Sequence, residues 1–135
     1  PSRITESFIN KIRGQQSEII IVTHINHPNE LDTETHNVLR RLREAGLALL
    51  NQTVLLKRVN DRGEILVELS EKLFSQGILP YYLHLSDKVE GTQHLCVTTE
   101  TARQLFREML KELPGYLVPR LVVEEPGKPS KTLIV

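Results

Sequence analysis

Glu18-Ile19-Ile20-Ile21-Val22-Thr23-His24-Ile25-Asn26-His27-Pro28-Asn29-Glu30 decides how the rest of the chain is read. Its first six residues form a continuous run rich in β-branched side chains, the pattern of a strand buried on both faces. Such strands belong to parallel sheets covered by helices, and the remaining sequence repeats the theme. Asp32 can cap a helix carrying Val38, Leu39, Leu42 and Ala45, which Gly46 stops. Residues 47–56 return to strand character, interrupted only by Asn51-Gln52-Thr53. Asp61 and Glu64 have capping-box spacing ahead of a helix that buries Ile65, Leu66, Leu69 and Leu73 and ends at Gly77. Residues 81–85 give the next strand. Thr98 opens a helix with Leu105, Phe106, Met109 and Leu110 that Pro114-Gly115 breaks, and Leu121–Val123 make the last strand. Upstream, residues 3–13 place Ile4, Phe8, Ile9 and Ile12 on one helical face, closed by Gly14.

Strand starts recur about every 30 residues, the size of a βαβ unit. The expected fold is therefore α/β: a parallel sheet of about four strands with helices on its outer face. A closed barrel needs about eight strands, so the expectation is half of an incomplete (β/α) TIM-like barrel. One domain spans 1–135, with a helix in 1–17, three strand–helix units in 18–118, and the last strand with a lysine-bearing tail in 119–135. The chain begins Pro1-Ser2-Arg3 and its only methionine is Met109, so a piece of a longer polypeptide is expected. The strand at 18–23 would then present an open edge, through which self-association is expected.

Composition narrows the partners. Seventeen basic and 17 acidic side chains cancel, against the basic excess of a nucleic-acid footprint. No apolar run is long enough to span a bilayer. A single cysteine, Cys96, cannot form an internal disulfide, and a cytoplasmic setting is expected.

In parallel α/β folds the site lies at the carboxyl ends of the strands. The four strand ends deliver His24 to Glu30, Asn51-Gln52, Ser86-Asp87, and Glu124-Glu125 followed by Lys131. Lys131, presented by the turn Pro126-Gly127-Lys128-Pro129-Ser130, is either a solvated tail residue or a Schiff-base amine. His24 and His27 have H-x-x-H spacing and with Glu30 could hold a metal; more often such histidines cap backbone groups. A metal-dependent hydrolase built on His24, His27 and Asp87, and a non-catalytic binding or assembly module, are the alternatives that residue types leave open. Cys96 reads as a small buried apolar residue, Asn60-Asp61 as a turn and cap, and Lys57 and Arg58 as a solvated rim.

These segments resemble one family. Thr23-His24-Ile25-Asn26-His27-Pro28-Asn29-Glu30 is similar to the THFNHPNE segment of the lysine 2,3-aminomutases. Asn51 to Leu56 followed by Val59-Asn60-Asp61 resembles their NQSVLL…VND segment. Tyr81-Tyr82 through Asp87, Gly91 and His94, then Gly115-Tyr116, Val118-Pro119 and the tail to Lys131, follow in order. The resemblance covers nearly the whole chain and implies the carboxyl-terminal half of a radical S-adenosylmethionine enzyme that also holds pyridoxal phosphate.

The resemblance implies that L-lysine is converted to β-lysine by radical migration of its amino group. Lys131 would bind pyridoxal phosphate, Asp87 and Glu124 would receive the side-chain ammonium of the substrate, and His24 and Gln52 would contact S-adenosylmethionine. The C-x3-C-x2-C motif that holds the family's [4Fe-4S] cluster is absent here, so the isolated chain is expected to be inactive. Glu124 stands where the clostridial-type aminomutases have Asp, Pro126 to Lys131 where they have a glycine run, and Arg62 where one structural zinc ligand would sit. Glu124 with Pro129-Ser130-Lys131-Thr132 resembles the branch that makes (R)-β-lysine to modify elongation factor P.

Overall fold

A computed structural model describes residues 6–13, 19–85, 93–123 and 132–133. Its elements are α1 (Glu6–Arg13), β1 (Ile20–Thr23), α2 (Thr33–Glu44), β2 (Ala48–Leu55), α3 (Gly63–Ser75), β3 (Ile78–Leu85), α4 (Thr99–Glu112), β4 (Arg120–Val123) and β5 (Thr132–Leu133). Short 3-10 turns lie at Pro28–Glu30, Gln93–Leu95 and Gly115–Leu117.

The helix boundaries follow from local chemistry. The Asp32 side chain accepts from the Thr35 amide at the start of α2, and that of Thr98 accepts from Thr101 at the start of α4. Gly46 and Gly77, just past the ends of α2 and α3, sit at φ 88 and 79, where only glycine is unstrained. The expected capping box at Asp61 does not form. Asp61 instead accepts from the Arg58 amide at 2.9 Å, and the residue preceding α3 is Arg62, whose side chain makes no capping bond. The turn takes the carboxylate because Arg58 is left-handed there, at φ 67.

The sheet order is β1-β2-β3-β4-β5. The first four strands are parallel, and β5 pairs antiparallel with β4 through Val122 with Leu133 and Val123 with Thr132. The four parallel strands match the expected number; β5 is an addition, and its two residues lie in a tail that the sequence leaves without an element. Along β2, Leu49, Asn51, Thr53 and Leu55 are buried, while Ala48, Leu50, Gln52 and Val54 are more open. The buried set faces the helices. One core cluster joins Leu55, Leu83 and Leu121 of the sheet to Leu66, Leu105 and Met109 of α3 and α4. A second joins Ile25, Leu49 and Ile78 to Ile9, Leu39, Leu42, Leu69 and Leu73.

β1 departs from its sequence pattern. It is not buried on both faces: Ile20 is 59% exposed and Val22 37%, with Leu79 of β3 at 42% on the same face. Among the described residues, helices cover one side of the sheet, and the other face is exposed at its β1 edge. Leu110, placed with the apolar residues of its helix by the sequence, is also exposed, because it follows buried Met109 directly and so points about 100° around α4 from it. No helix among the described residues is long and apolar enough to cross a membrane.

Candidate functional site at the open sheet face

The end of β1 is tied to β2 by side-chain amides. Past Thr23 paired with Asn51, the β1–β2 ladder stops. Asn51, 1% exposed, takes its place. Its Oδ1 accepts from the Ile25 amide at 2.8 Å and from Thr23 Oγ1 at 2.7 Å. Its Nδ2 donates to the Ile25 carbonyl and to Thr53 Oγ1, both at 3.0 Å. A carboxamide has two donors and two lone pairs, so Asn51 is saturated. Asn26 Oδ1 then accepts from the Val54 amide at 2.9 Å. Asn60, fully buried, donates to the carbonyls of Asn26 (2.8 Å) and Val54 (2.9 Å) and accepts from the Leu56 amide (2.8 Å). Asn60 is thus more than a turn residue: it locks the loop after β1 onto the end of β2.

His27 closes the same loop, its Nδ1 accepting from the Asn29 amide at 3.0 Å, while Glu30 Oε1 accepts from the Asn26 amide at 3.3 Å. Of the two sequence readings of the H-x-x-H pair, His27 follows the capping one. Among the described residues, no three His, Cys, Asp or Glu side chains come together as a metal-binding group. His24 comes one residue past β1 and is exposed, and strand alternation puts it on the face of Ile20 and Val22.

Gln52 occupies that open face on β2, half-buried. Its Oε1 lies 3.1 Å from His84 Nε2 on β3. Tyr82 stands edge-on to His84 with ring centres 5.6 Å apart, and lies 3.9 Å from Tyr81. A bulge makes this cluster possible. Asn51 pairs with Pro80 but Gln52 pairs with Tyr82, so β3 carries one extra residue. Pro80 marks the place, since a proline that cannot donate to the ladder is tolerated at bulges.

His24 and Gln52 therefore share the open face. Asp87, Glu124 and Lys131 lie outside the described residues. In the chain, Glu124 directly follows Val123 and Lys131 directly precedes Thr132, the two residues that pair across β4 and β5. Sequence reasoning missed His84 and the bridging role of Asn60; the proline within a strand was the signal for the bulge. A groove between α3 and α4, lined by Glu64, Glu68, Glu71, Glu108 and Glu112, is on the helical side of the sheet, away from Gln52, and reads as a solvated acidic face.

No family model matches the chain. The L-lysine 2,3-aminomutase of Escherichia coli is 47% identical over 132 residues, which are 98% of this chain and 39% of that protein. The chain is similar to proteins named L-lysine 2,3-aminomutase. The Haemophilus influenzae aminomutase is also 47% identical, over 98% of this chain and 39% of its own length. The Clostridium subterminale aminomutase is 33% identical over all of this chain and 32% of its own length. The chain thus spans about two-fifths of the E. coli and H. influenzae aminomutases it matches.

Two solved structures resemble this chain in fold. A radical SAM methyltransferase from Sphaerobacter thermophilus gives a TM-score of 0.59 at 13% identity, covering 88% of this chain and 38% of that one. A domain of a pyruvate-formate lyase-activating enzyme from Bacteroides vulgatus gives 0.56 at 14% identity, covering 90% and 76%. At such identities the likeness is one of fold alone.

Proposed function

We propose that the intact polypeptide carrying this chain is a lysine 2,3-aminomutase-type isomerase that converts L-lysine to β-lysine, with residues 1–135 forming the carboxyl-terminal part of its barrel domain. The observation that carries the reading is the 47% identity to the E. coli aminomutase across 98% of this chain. The open face supports it, because parallel strands bring His24 and Gln52 to one side, clear of the helices. In this reading the bare stripe of Ile20, Val22 and Leu79 is the surface that the rest of the barrel covers.

Bound pyridoxal phosphate supplies an electron sink beside the migrating amine, and S-adenosylmethionine supplies the hydrogen-abstracting radical. The residues present suit these two groups and not the [4Fe-4S] cluster that the resemblance also implies. Lys131 offers a primary amine for pyridoxal phosphate. Gln52 and His24 offer an amide and an imidazole to the polar end of S-adenosylmethionine. Cys96 is the only cysteine, and one thiolate does not hold a [4Fe-4S] cluster, so no step is assigned to this chain there. Asp87 and Glu124 bind the substrate ammonium: two carboxylates offset the hydration it loses and orient the carbon chain.

The destination we assign to the product is (R)-β-lysine for elongation factor P, which sets the enzyme in the cytoplasm. Glu124 with Pro129-Ser130-Lys131-Thr132, which resembles the branch that modifies elongation factor P, supports it. The test uses the full-length protein. Incubation with L-lysine, S-adenosylmethionine and reductant should yield β-lysine, and Lys131→Ala should abolish both the product and the visible pyridoxal absorbance. Retained absorbance in that variant would remove the Lys131 assignment, and no β-lysine from the wild-type holoenzyme would remove the function.

A further inference from the structure

The bulge in β3 decides which face His84 occupies. Without the extra residue, Gln52 would pair with Tyr81 and His84 would fall opposite Leu55, on the face packed against helices. With it, Tyr82 pairs with Gln52, His84 pairs with Val54, and the imidazole comes within 3.1 Å of the Gln52 oxygen on the open face.

We propose that His84 is a positioning residue: its Nε2–H holds the Gln52 carboxamide by the oxygen, so that Gln52 presents its amide N–H donors to the ligand. The inference deepens the function proposed above and rests on its reading of Gln52 as a contact to S-adenosylmethionine. A free glutamine amide offers oxygen or nitrogen equally well by rotating about its last bond. A fixed donor on one side removes that choice. A glutamine held by its oxygen suits an acceptor such as the carboxylate of the methionyl group, and disfavours its ammonium, which needs an acceptor. Tyr82, edge-on to the imidazole and against Tyr81, restrains the ring that makes the choice. Loss of this preorganisation should weaken binding by about tenfold.

The test measures S-adenosylmethionine affinity by equilibrium dialysis in the full-length, cluster-loaded protein, for Gln52→Ala, His84→Phe, His84→Tyr and the double variant Gln52→Ala/His84→Phe. We expect His84→Phe to weaken binding about tenfold and to add nothing on top of Gln52→Ala. His84→Tyr, whose hydroxyl is again a donor, should recover most of the loss. In ¹⁵N-histidine-labelled protein, His84 should carry a proton on Nε2. If Gln52→Ala binds as wild type does, the Gln52 contact falls and the proposal falls with it. If Gln52→Ala weakens binding while His84→Phe does not, if the two losses simply add, if His84→Tyr fails to recover binding, or if Nε2 carries no proton, the role of His84 is overturned and the Gln52 contact stands.

Discussion

Replacing Asn51 with leucine should show how much the amide relay holds. Asn51 makes four hydrogen bonds at 2.7–3.0 Å in a site only 1% exposed. Not all of its partners are stranded by the change. Thr23 Oγ1 still has the Leu50 carbonyl at 3.2 Å, and the Ile25 carbonyl still has Thr53 Oγ1 at 2.9 Å. The Ile25 amide loses its acceptor in a buried position, which costs about 1–3 kcal/mol. The net loss of the remaining bonds adds about 1 kcal/mol, and leucine of similar volume leaves little cavity. Asn51→Leu should therefore destabilise by about 2–4 kcal/mol. Thr53→Val, which leaves the Ile25 amide its acceptor, should cost about half as much. Urea unfolding followed by circular dichroism measures both, with unchanged m-values as the check on two-state behaviour. If Asn51→Leu lies within about 0.5 kcal/mol of wild type, the side-chain ladder is not what joins β1 to β2.

The two left-handed glycines should respond unequally. Gly46→Ala meets no atom within 4 Å, so only backbone strain of about 1 kcal/mol applies, whereas Gly77→Ala would also overlap Arg43 and break its 3.0 Å bond to the Gln76 carbonyl. Gly77→Ala should be the worse by about 1 kcal/mol in urea unfolding, and equal losses would contradict the Arg43 contact. Asp32 gives a pH dependence: the Thr35 amide, and after it the Thr35 hydroxyl, hold its carboxyl below the ordinary value of 3.8. A carboxyl depressed on folding stabilises above its unfolded pKa and loses that contribution as pH falls through the folded one. Asp32→Asn keeps a capping oxygen but does not titrate, so the wild type's advantage should shrink below about pH 4 and stay level at neutral pH. An advantage that persists down to about pH 2 would refute this.

What the sequence displayed was the part of the fold written in short periods. Asp32, Thr98, Gly46 and Gly77 each act within one helical turn, and each marks a boundary the structure keeps. Alternating strands and helices were legible for the same reason. Asp61 and Glu64 had the right spacing for a cap, but Arg58 in a left-handed turn competed for the carboxylate. The bulge at Pro80-Tyr81 depends on how β3 meets β2, which no single window contains, and β5 is two residues long. At the site, His24 and Gln52 followed from strand ends and family likeness. His84 carried no local cue, because its face is fixed by the bulge. Asn60 looked like any polar turn residue because its burial depends on Asn26, more than thirty positions away.

Every strand in the sheet neighbours only the strands next to it in sequence. Assembly can therefore proceed by accretion from strand to strand, but each parallel seam joins residues 28 or more positions apart, as Ile20 with Ala48, and closing such loops makes folding slow. Among the described residues the longest seam, seven paired positions between β2 and β3, also contains the bulge. Were assembly to start at that seam, Gln52 and His84 would meet before either margin of the sheet is laid down.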